Sequence, residues 1–434
     1  MLNFPINKKI NIISLGAESV GRFAIYDNGK IFVSEDFGDL LDIENLVKFK
    51  KAVLKQVKCK KPDAILTDLH PLYNSTIFGN ELSKKLKIPH IKVQHHIAHI
   101  FSALGDKLCY SDSIKKFHKN KSARDSSTPL CSAQNDNAYN ILNTKYSILD
   151  TFFGIASDGT GYGFDGNIWG GEVFKVENKK LKVKSYRLKS NFNQKLKIKR
   201  IGSLEEQTMI GGDLAVKEPA RMLISILSKF LSKEKVYENV KKFYTKNEFE
   251  LLYNQLQQNF NCQSTTSTGR ILDAVSILLG FADNKRNFKH EATKLLEKNS
   301  TIPYKNSPPF KGGARGGCEI SQNFKILNTT YLFEYLAKNI DKDKRRLAAT
   351  AQEYIAKGFW EITLDFRLPT GSPTSNVQNS KFKIQNSFFS GGMANNKIIS
   401  SYLEKKGVYT SKKIPRGDEG IAFGQIVYYL ANNI

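Results

Sequence analysis

The chain has little cysteine, and what it has is scattered: Cys59, Cys109, Cys131, Cys262 and Cys318, an odd number without a Cys-x-x-Cys pair. That argues against a disulfide framework and for a reducing compartment. A long apolar run is also lacking. The short run after Met1-Leu2-Asn3-Phe4-Pro5-Ile6-Asn7-Lys8-Lys9 is too brief for a secretion signal, and no segment could span a bilayer. These absences predict a cytoplasmic protein with no membrane partner. Acidic residues are scarce, 41 Asp and Glu against 66 Lys and Arg, which leaves a formal charge of +25. Such a balance can signal nucleic acid. Here the basic residues are mostly Lys, spread among Asn, in runs such as Lys48-Phe49-Lys50-Lys51 and 195–200 that read as solvated faces. Neither an RNA-binding aromatic signature nor zinc-finger spacing accompanies them. Nucleic acid is therefore disfavoured, and the charge reads as a modest attraction for phosphorylated ligands.

Histidine is sparse too, seven in all, yet three fall within Val93-Gln94-His95-His96-Ile97-Ala98-His99-Ile100. His95 and His99 are four apart, so on a helix they project from one face and could chelate one metal ion. An isolated pair of this kind is more often two surface histidines. A metal reading therefore needs further ligands from elsewhere in the chain.

A length of 434 residues suggests two domains or lobes. Residues Ile10–Leu15, Arg22–Tyr26 and Lys30–Val33 read as an antiparallel meander, Asp42–Lys58 as a helix, Ala64–Thr67 as a buried strand and Leu82–Leu86 as helical. Ile91–Val93 reads as a strand with the histidine helix directly after it. A second cycle starts with an apolar strand at Phe153 and continues through Trp169–Val176 and Leu181–Leu188. Pro219–Leu296 is largely helical, and a last strand-loop-helix unit runs from Phe388 to Tyr402. Two similar openings predict a duplicated α/β protein of two lobes, 9–150 and 151–434, with a cleft between them. Residues 111–148, 300–330 and 368–387 are rich in Ser, Asn, Lys, Pro and Gly and share similar short segments, and they read as inserted surface loops without chemistry.

Several glycine-flanked turns are candidates for chemistry. Ser157-Asp158-Gly159-Thr160-Gly161-Tyr162-Gly163 follows a buried strand, so its backbone N–H groups could approach a phosphate while Asp158 holds a cation. Ser390-Gly391-Gly392, followed by Asn396, has the same form at a helix start. Asp418 sits at another, where N-capping alone would explain it. His70, at the end of a strand in Asp68-Leu69-His70-Pro71, could orient a ligand or make a structural hydrogen bond. Gly212-Asp213 with Lys217, Glu218 and Arg221 suggests an anion or nucleotide site.

Taken in order, these segments resemble the C-terminal carbamoyltransferase module of the HypF hydrogenase-maturation family. The order runs through Gly16-Ala17-Glu18, Asp68-Leu69-His70-Pro71, the histidine segment, Asp158–Gly163 and Trp169-Gly170-Gly171-Glu172. It continues with Gly212-Asp213, Glu218-Pro219-Ala220-Arg221, Gly269-Arg270-Ile271-Leu272-Asp273, Ser390-Gly391-Gly392 and Asp418–Gln425. The resemblance spans nearly the whole chain outside the three inserts. It implies kinship with the tRNA threonylcarbamoyladenosine transferases and a two-lobed actin/Hsp70-like fold of duplicated RNase H-like halves. It further implies iron or zinc held by His95, His99, Asp158 and Asp418. His70, Asp158, Lys217 and Arg221 would act in catalysis. A nucleotide of ATP/AMP type would sit against Gly159, Thr160, Gly161, Gly163, Gly212, Asp213, Glu218, Asp273, Ser390, Gly391, Gly392 and Asn396. In such a module the carbamoyl group passes from carbamoyl-adenylate to the C-terminal cysteine of a HypE-like partner, on the way to the cyanide ligand of a nickel-iron site. Since the chain lacks the family's acylphosphatase, zinc-finger and adenylate-forming domains, the resemblance implies a separate carbamoyl-adenylate-forming subunit. The chain also departs from the family's pattern at Ser19, at Ala351-Gln352 and at Lys289. Other readings are an O-carbamoyltransferase on a small molecule, a tRNA-modifying relative, or a non-catalytic scaffold that binds the partner.

Overall fold

A computed structural model describes residues 2–122, 151–178, 196–305, 308, 318–321, 324–366 and 386–433. Two sheets organise them. The first has strands β1 (Leu2–Asn3), β2 (Asn11–Ser14), β3 (Ala24–Asp27), β4 (Lys30–Val33), β5 (Ala64–Asp68) and β6 (His90–Val93), in the order β1-β4-β3-β2-β5-β6. The expected meander is its antiparallel part, and β5 and β6 add in parallel beside β2. Helix α1 (Ile43–Cys59) starts at an Asp42 cap that accepts from the Glu44 and Asn45 amides. Helix α2 (Asn74–Leu86) begins a full two turns before the expected Leu82. Helix α3 (His95–Ser122) follows β6 directly.

The second sheet repeats this plan. Strand β7 (Thr151–Tyr162) pairs antiparallel with β8 (Ile168–Asn178), β8 with β9 (Leu196–Leu204), and β7 pairs in parallel with β14 (Ser387–Ser390), which pairs with β15 (Tyr409–Thr410). The order β9-β8-β7-β14-β15 matches β4-β3-β2-β5-β6 in both sequence and direction. Duplication, expected from two similar openings, is thus written into the strand order. Between β9 and β14 lies a large insertion, largely helical as predicted, whose Leu223, Ile271 and Phe359 share one apolar cluster with Ile155, Val173 and Phe389 of the second sheet.

The inserts are corrected in part. Residues Cys318–Ser321 form edge strand β12, and Phe324–Leu327 form β13, which lies between β12 and β9 and runs parallel to β9; Leu327 is fully buried. The alternation of Phe324-Lys325-Ile326-Leu327 was masked by the polar residues around it. Helix α3 also runs through 111–122, inside the first expected loop. The expected strand Leu181–Leu188, residues 123–148 and residues 368–385 lie outside the described residues.

The lobe boundary at 150 does not hold for the end of the chain. Helix α13 (Ile421–Asn432) packs on β2, β3 and β5 of the first sheet, whereas α3 packs on β7 and β14 of the second. These two helices face each other between the sheets, and Phe101, Leu104, Phe423, Ile426 and Val427 belong to one apolar cluster with residues of both sheets. Two glycines let them approach. A Cβ on Gly105 would lie 2.6 Å from the Phe423 ring, and one on Gly424 would lie 1.9 Å from the Ala98 carbonyl oxygen. No helix among the described residues is long and apolar enough to cross a membrane.

Gly424→Ala should therefore force the helix pair apart and destabilise the protein by about 2–3 kcal/mol. Thermal unfolding checks this; an unchanged midpoint would mean that the two backbones tolerate the methyl.

Candidate functional site

The helix pair brings its two N-terminal ends to one place. Helix α3 starts at His95, so His95 and His99 project from its first two turns. Asp418 opens a single 3-10 turn, Asp418–Gly420, that leads into α13. Asp158 comes from β7, at an irregularity where the register with β8 shifts between Ser157 and Gly161. One donor atom from each of His95, His99, Asp158 and Asp418 can be chosen so that all lie within 4.8 Å of one another.

The donor atoms are sorted by their other partners. His95 Nδ1 lies 2.7 Å from Asp68 Oδ2, which leaves Nε2 facing Asp158 Oδ2 at 3.3 Å and Asp418 Oδ1 at 3.6 Å. His99 Nε2 is 2.9 Å from Asp158 Oδ2 and 3.5 Å from Asp418 Oδ1. The other oxygen of Asp158 accepts from the Gly159 and Gly392 amides, and that of Asp418 accepts from the Ser19 hydroxyl. Each carboxylate is thus anchored by one oxygen and presents the other to the imidazoles.

Charge follows from this crowding. Burial disfavours the imidazolium of His95, but Asp68, Asp158 and Asp418 together outweigh it and raise the pKa well above the ordinary histidine range. His99 is raised in the same way by the two carboxylates. Burial and mutual repulsion push Asp158 up, and the two imidazoles pull it below the carboxylate range. Asp418 is held low against burial by the same two rings. His96 is different: burial and His95 hold it well below the usual value. Its Nδ1 meets Gln94 Nε2 at 2.8 Å, and its ring tilts against Trp169.

A cleft of about 520 Å³ opens beside the cluster. Asp158, Gly159, Thr160, Gly392, Asn396 and Asp418 are among its walls. Asn396 also caps helix α12 (Lys397–Lys405) and donates to Gln352 Oε1 at 2.7 Å.

Other expected residues lie elsewhere. Gly161 and Gly163 do not wall the cleft. Gly161 is needed because a Cβ there would meet His96 Cε1 at 2.4 Å, and Gly163 because one would meet the Trp169 ring at 2.4 Å. The glycine loop expected after the strand is in fact partly strand β7 and partly its turn into β8. Ser390 is buried and donates to the Arg416 carbonyl. Gly391, at φ +106°, passes so near β7 that a Cβ would fall 2.2 Å from the Ser157 oxygen. Asp273 is buried in ion pairs with Arg270 and Arg286.

Gly212, Asp213, Lys217, Glu218 and Arg221 are likewise not among the cleft walls. Arg221 Nε binds Glu218 at 2.7 Å, Tyr244 donates to the same carboxylate, and Lys217 is exposed. His70 stacks on Tyr73, which lines the cleft, at 4.1 Å. Burial lowers the His70 pKa, against the pull of Asp68 and Asp213.

Sequence profiles match at two places: the HypF Kae1-like domain over residues 7–106, and the carbamoyltransferase, Kae1-like domain, second subdomain, over residues 154–425. The chain belongs to the HypF carbamoyltransferase family. It is 34% identical to the "probable carbamoyltransferase HypF" of Methanocaldococcus jannaschii, covering 99% of this chain and 47% of that protein. It is 25% identical to carbamoyltransferase HypF2 of Cupriavidus necator, covering 96% and 46%. It thus spans about half the length of the curated relatives it matches. Its fold resembles the crystal structure of T. kodakarensis HypF, with a TM-score of 0.71, 26% identity and coverage of 99% and 48%. A full-length HypF in its phosphate- and nucleotide-bound form gives a TM-score of 0.73 at 22% identity, covering 99% and 47%. The HypF-type, Kae1-like fold accounts for the two repeated sheets.

Asp68 is the functional candidate that sequence reasoning passed over in favour of His70. Strands β5 and β6 are parallel neighbours, with Asp68 opposite Val93, and that register sets its carboxylate beside the next helix start. In the metal-free protein, the stabilisation from charged His95 and His99 is complete below the unfolded-chain value of about 6.5 and is lost as pH rises through their raised folded values. NMR titration should find both rings charged above pH ~6.5 while His96 stays neutral. Asp68→Asn should lower the His95 midpoint; an unmoved midpoint would remove Asp68 from this account.

Proposed function

We propose that the chain is the transferase half of a carbamoylation system, passing a carbamoyl group from carbamoyl-adenylate to the C-terminal cysteine thiol of a HypE-like protein. The observation that carries the metal part is the set of four donor atoms turned toward one point. Two nitrogens and two oxygens suit iron or zinc, being too hard for copper(I) and too rich in nitrogen for magnesium. Two buried carboxylates facing each other also call for a cation between them. His95, His99, Asp158 and Asp418 would hold it, with Asp68 fixing the His95 tautomer from behind. A bound cation would supply Lewis-acid polarisation of the carbamoyl carbonyl or neutralise the leaving phosphate.

The residues of the chain do the rest. The cleft beside Gly159, Thr160, Gly392 and Asn396 takes the adenylate. The thiolate sulfur attacks the carbamoyl carbon, the C–O bond to the phosphate breaks, and AMP leaves with the electron pair. His70, kept neutral by burial, stands by to accept the thiol proton. Carbamoyl-adenylate itself would come from a separate adenylate-forming protein or segment, and the reaction belongs to the cytoplasm.

Purified protein should carry about one iron or zinc per chain, lost in a His95→Ala/His99→Ala variant, and Asp68→Asn should weaken metal affinity about 10- to 100-fold. Supplied with carbamoyl-adenylate and a HypE-like protein, the native chain should form a thiocarbamate on the terminal cysteine, detected by mass spectrometry. Metal-free protein with an intact fold would refute the metal reading; carbamoyl transfer to RNA or to a small hydroxyl compound instead would refute the acceptor.

A further inference from the structure

Gln94 stands at the start of helix α3, one residue before His95, and is only 3% exposed. Its backbone carbonyl accepts from the Ala98 amide, and its side-chain Oε1 accepts from the Ile97 amide at 2.9 Å. It therefore caps the helix, a task that Ser, Thr, Asp or Asn usually performs with a shorter side chain. The longer side chain reaches further. Its Nε2 donates to the Tyr162 carbonyl oxygen of β7 at 3.0 Å and meets His96 Nδ1 at 2.8 Å.

The two backbone partners fix how the amide is turned. The Ile97 N–H can only donate and the Tyr162 carbonyl can only accept, so a flipped amide would set donor on donor and acceptor on acceptor. The group facing His96 is consequently the NH2, and His96 Nδ1 accepts from it. A neutral imidazole has one lone pair, which leaves the His96 proton on Nε2 and no lone pair for a metal. His95 is the reverse. Its Nδ1 faces the Asp68 carboxylate, an acceptor, so the neutral ring keeps its proton there and turns a bare Nε2 toward Asp158. Adjacent imidazoles thus receive opposite tautomers from opposite partners.

Strand β7 meets these rings twice. Asp158 Oδ2 faces Nε2 of both His95 and His99. Beyond the register shift between Ser157 and Gly161, the strand passes the rings again. There a Cβ on Gly161 would lie 2.9 Å from His95 Cδ2 and 2.4 Å from His96 Cε1. The irregular stretch that carries Asp158 is therefore pinned to α3 at its far end by the Gln94 bond to Tyr162.

We propose that Gln94 is a positioning residue for the metal cluster. One amide sets the first turn of α3 against β7 and occupies the lone pair of His96, so that His95 and His99 alone are left to join Asp158. The proposal rests on the metal reading of the four donors, not on the carbamoyl acceptor.

The intact chain, stripped of metal with a chelator, tests this beside Gln94→Glu and Gln94→Met. Gln94→Glu keeps the helix cap and the side-chain length but replaces the donor by an acceptor; Gln94→Met keeps the length and removes every side-chain bond. Histidine nitrogen NMR of the metal-free native chain should find His96 protonated at Nε2 and bare at Nδ1. In Gln94→Glu a proton should appear on Nδ1. Zinc affinity, read by competition with a chromophoric chelator, should fall about tenfold in each variant. The visible spectrum of the cobalt(II)-loaded chain should change with it, a signature that lost stability alone would not move. A native His96 protonated at Nδ1 would overturn the proposal, and this decides even where a variant fails to fold. So would native zinc affinity and a native cobalt spectrum in both variants. A native chain that takes up neither metal would overturn the positioning role together with the metal reading. Variants that shift metal binding as expected, in a chain that carbamoylates no thiol, would instead count against the proposed transfer and leave Gln94 in its role.

Discussion

Two carboxylates, Asp158 and Asp418, are brought from distant parts of the chain into one largely buried place, and the rest of the site answers to that. Like charges so close cannot both stay ionised unless cations or strong donors face them. The chain supplies two imidazoles, the Gly159 and Gly392 amides and the Ser19 hydroxyl. It also supplies the N-terminal turn ahead of α13, where the helix dipole favours a negative side chain such as Asp418. None of this works unless α3 and α13 start at the same spot. That in turn depends on Gly105 and Gly424, because a methyl at either would collide with the facing helix. The chemistry of the site is therefore held by a packing constraint some way along the two helices.

The duplication explains why the helix starts meet. In each half, the strand before the last helix lies at the edge of a 3-2-1-4-5 sheet, β6 in the first and β15 in the second. Each last helix then crosses to cover the other half's sheet. Two helices related in this way face each other across the seam with their N-termini on one side. The four potential metal donors meet at that seam where two equivalent helix starts converge.

This geometry also decides what the sequence could reveal. Strand periodicity exposed the first meander and, in the second, β7 and β8 but not β9, and the i,i+4 spacing exposed His95 and His99, because those signals are local. Asp68 was hidden because its contact with His95 runs through the pairing of β5 with β6, and a strand's neighbour is not written in its own residues. His70, two positions away, drew attention as an imidazole although the carboxylate makes the contact. The glycines misled for a related reason. Gly161, Gly163 and Gly391 looked like phosphate cradles, yet their smallness makes room for His96, for Trp169 and for the β7 backbone. Of that loop, the three residues that do wall the cleft are Asp158, Gly159 and Thr160. Composition likewise concealed β13, whose few apolar residues sit inside a polar stretch but end on the buried Leu327.

The walls of the cleft come from two sources. Glu18, Asp158, Asp418 and Glu419 belong to the duplicated frame, whereas Lys289, His290, Lys294 and Glu297 belong to the insertion between β9 and β14. The frame brings two imidazoles and two carboxylates to one point. The insertion supplies the facing wall, where charges of both signs lie side by side on one short helix. The repeated halves thus fix where the buried donors meet, and the insertion decides what the rest of the cleft presents to a ligand.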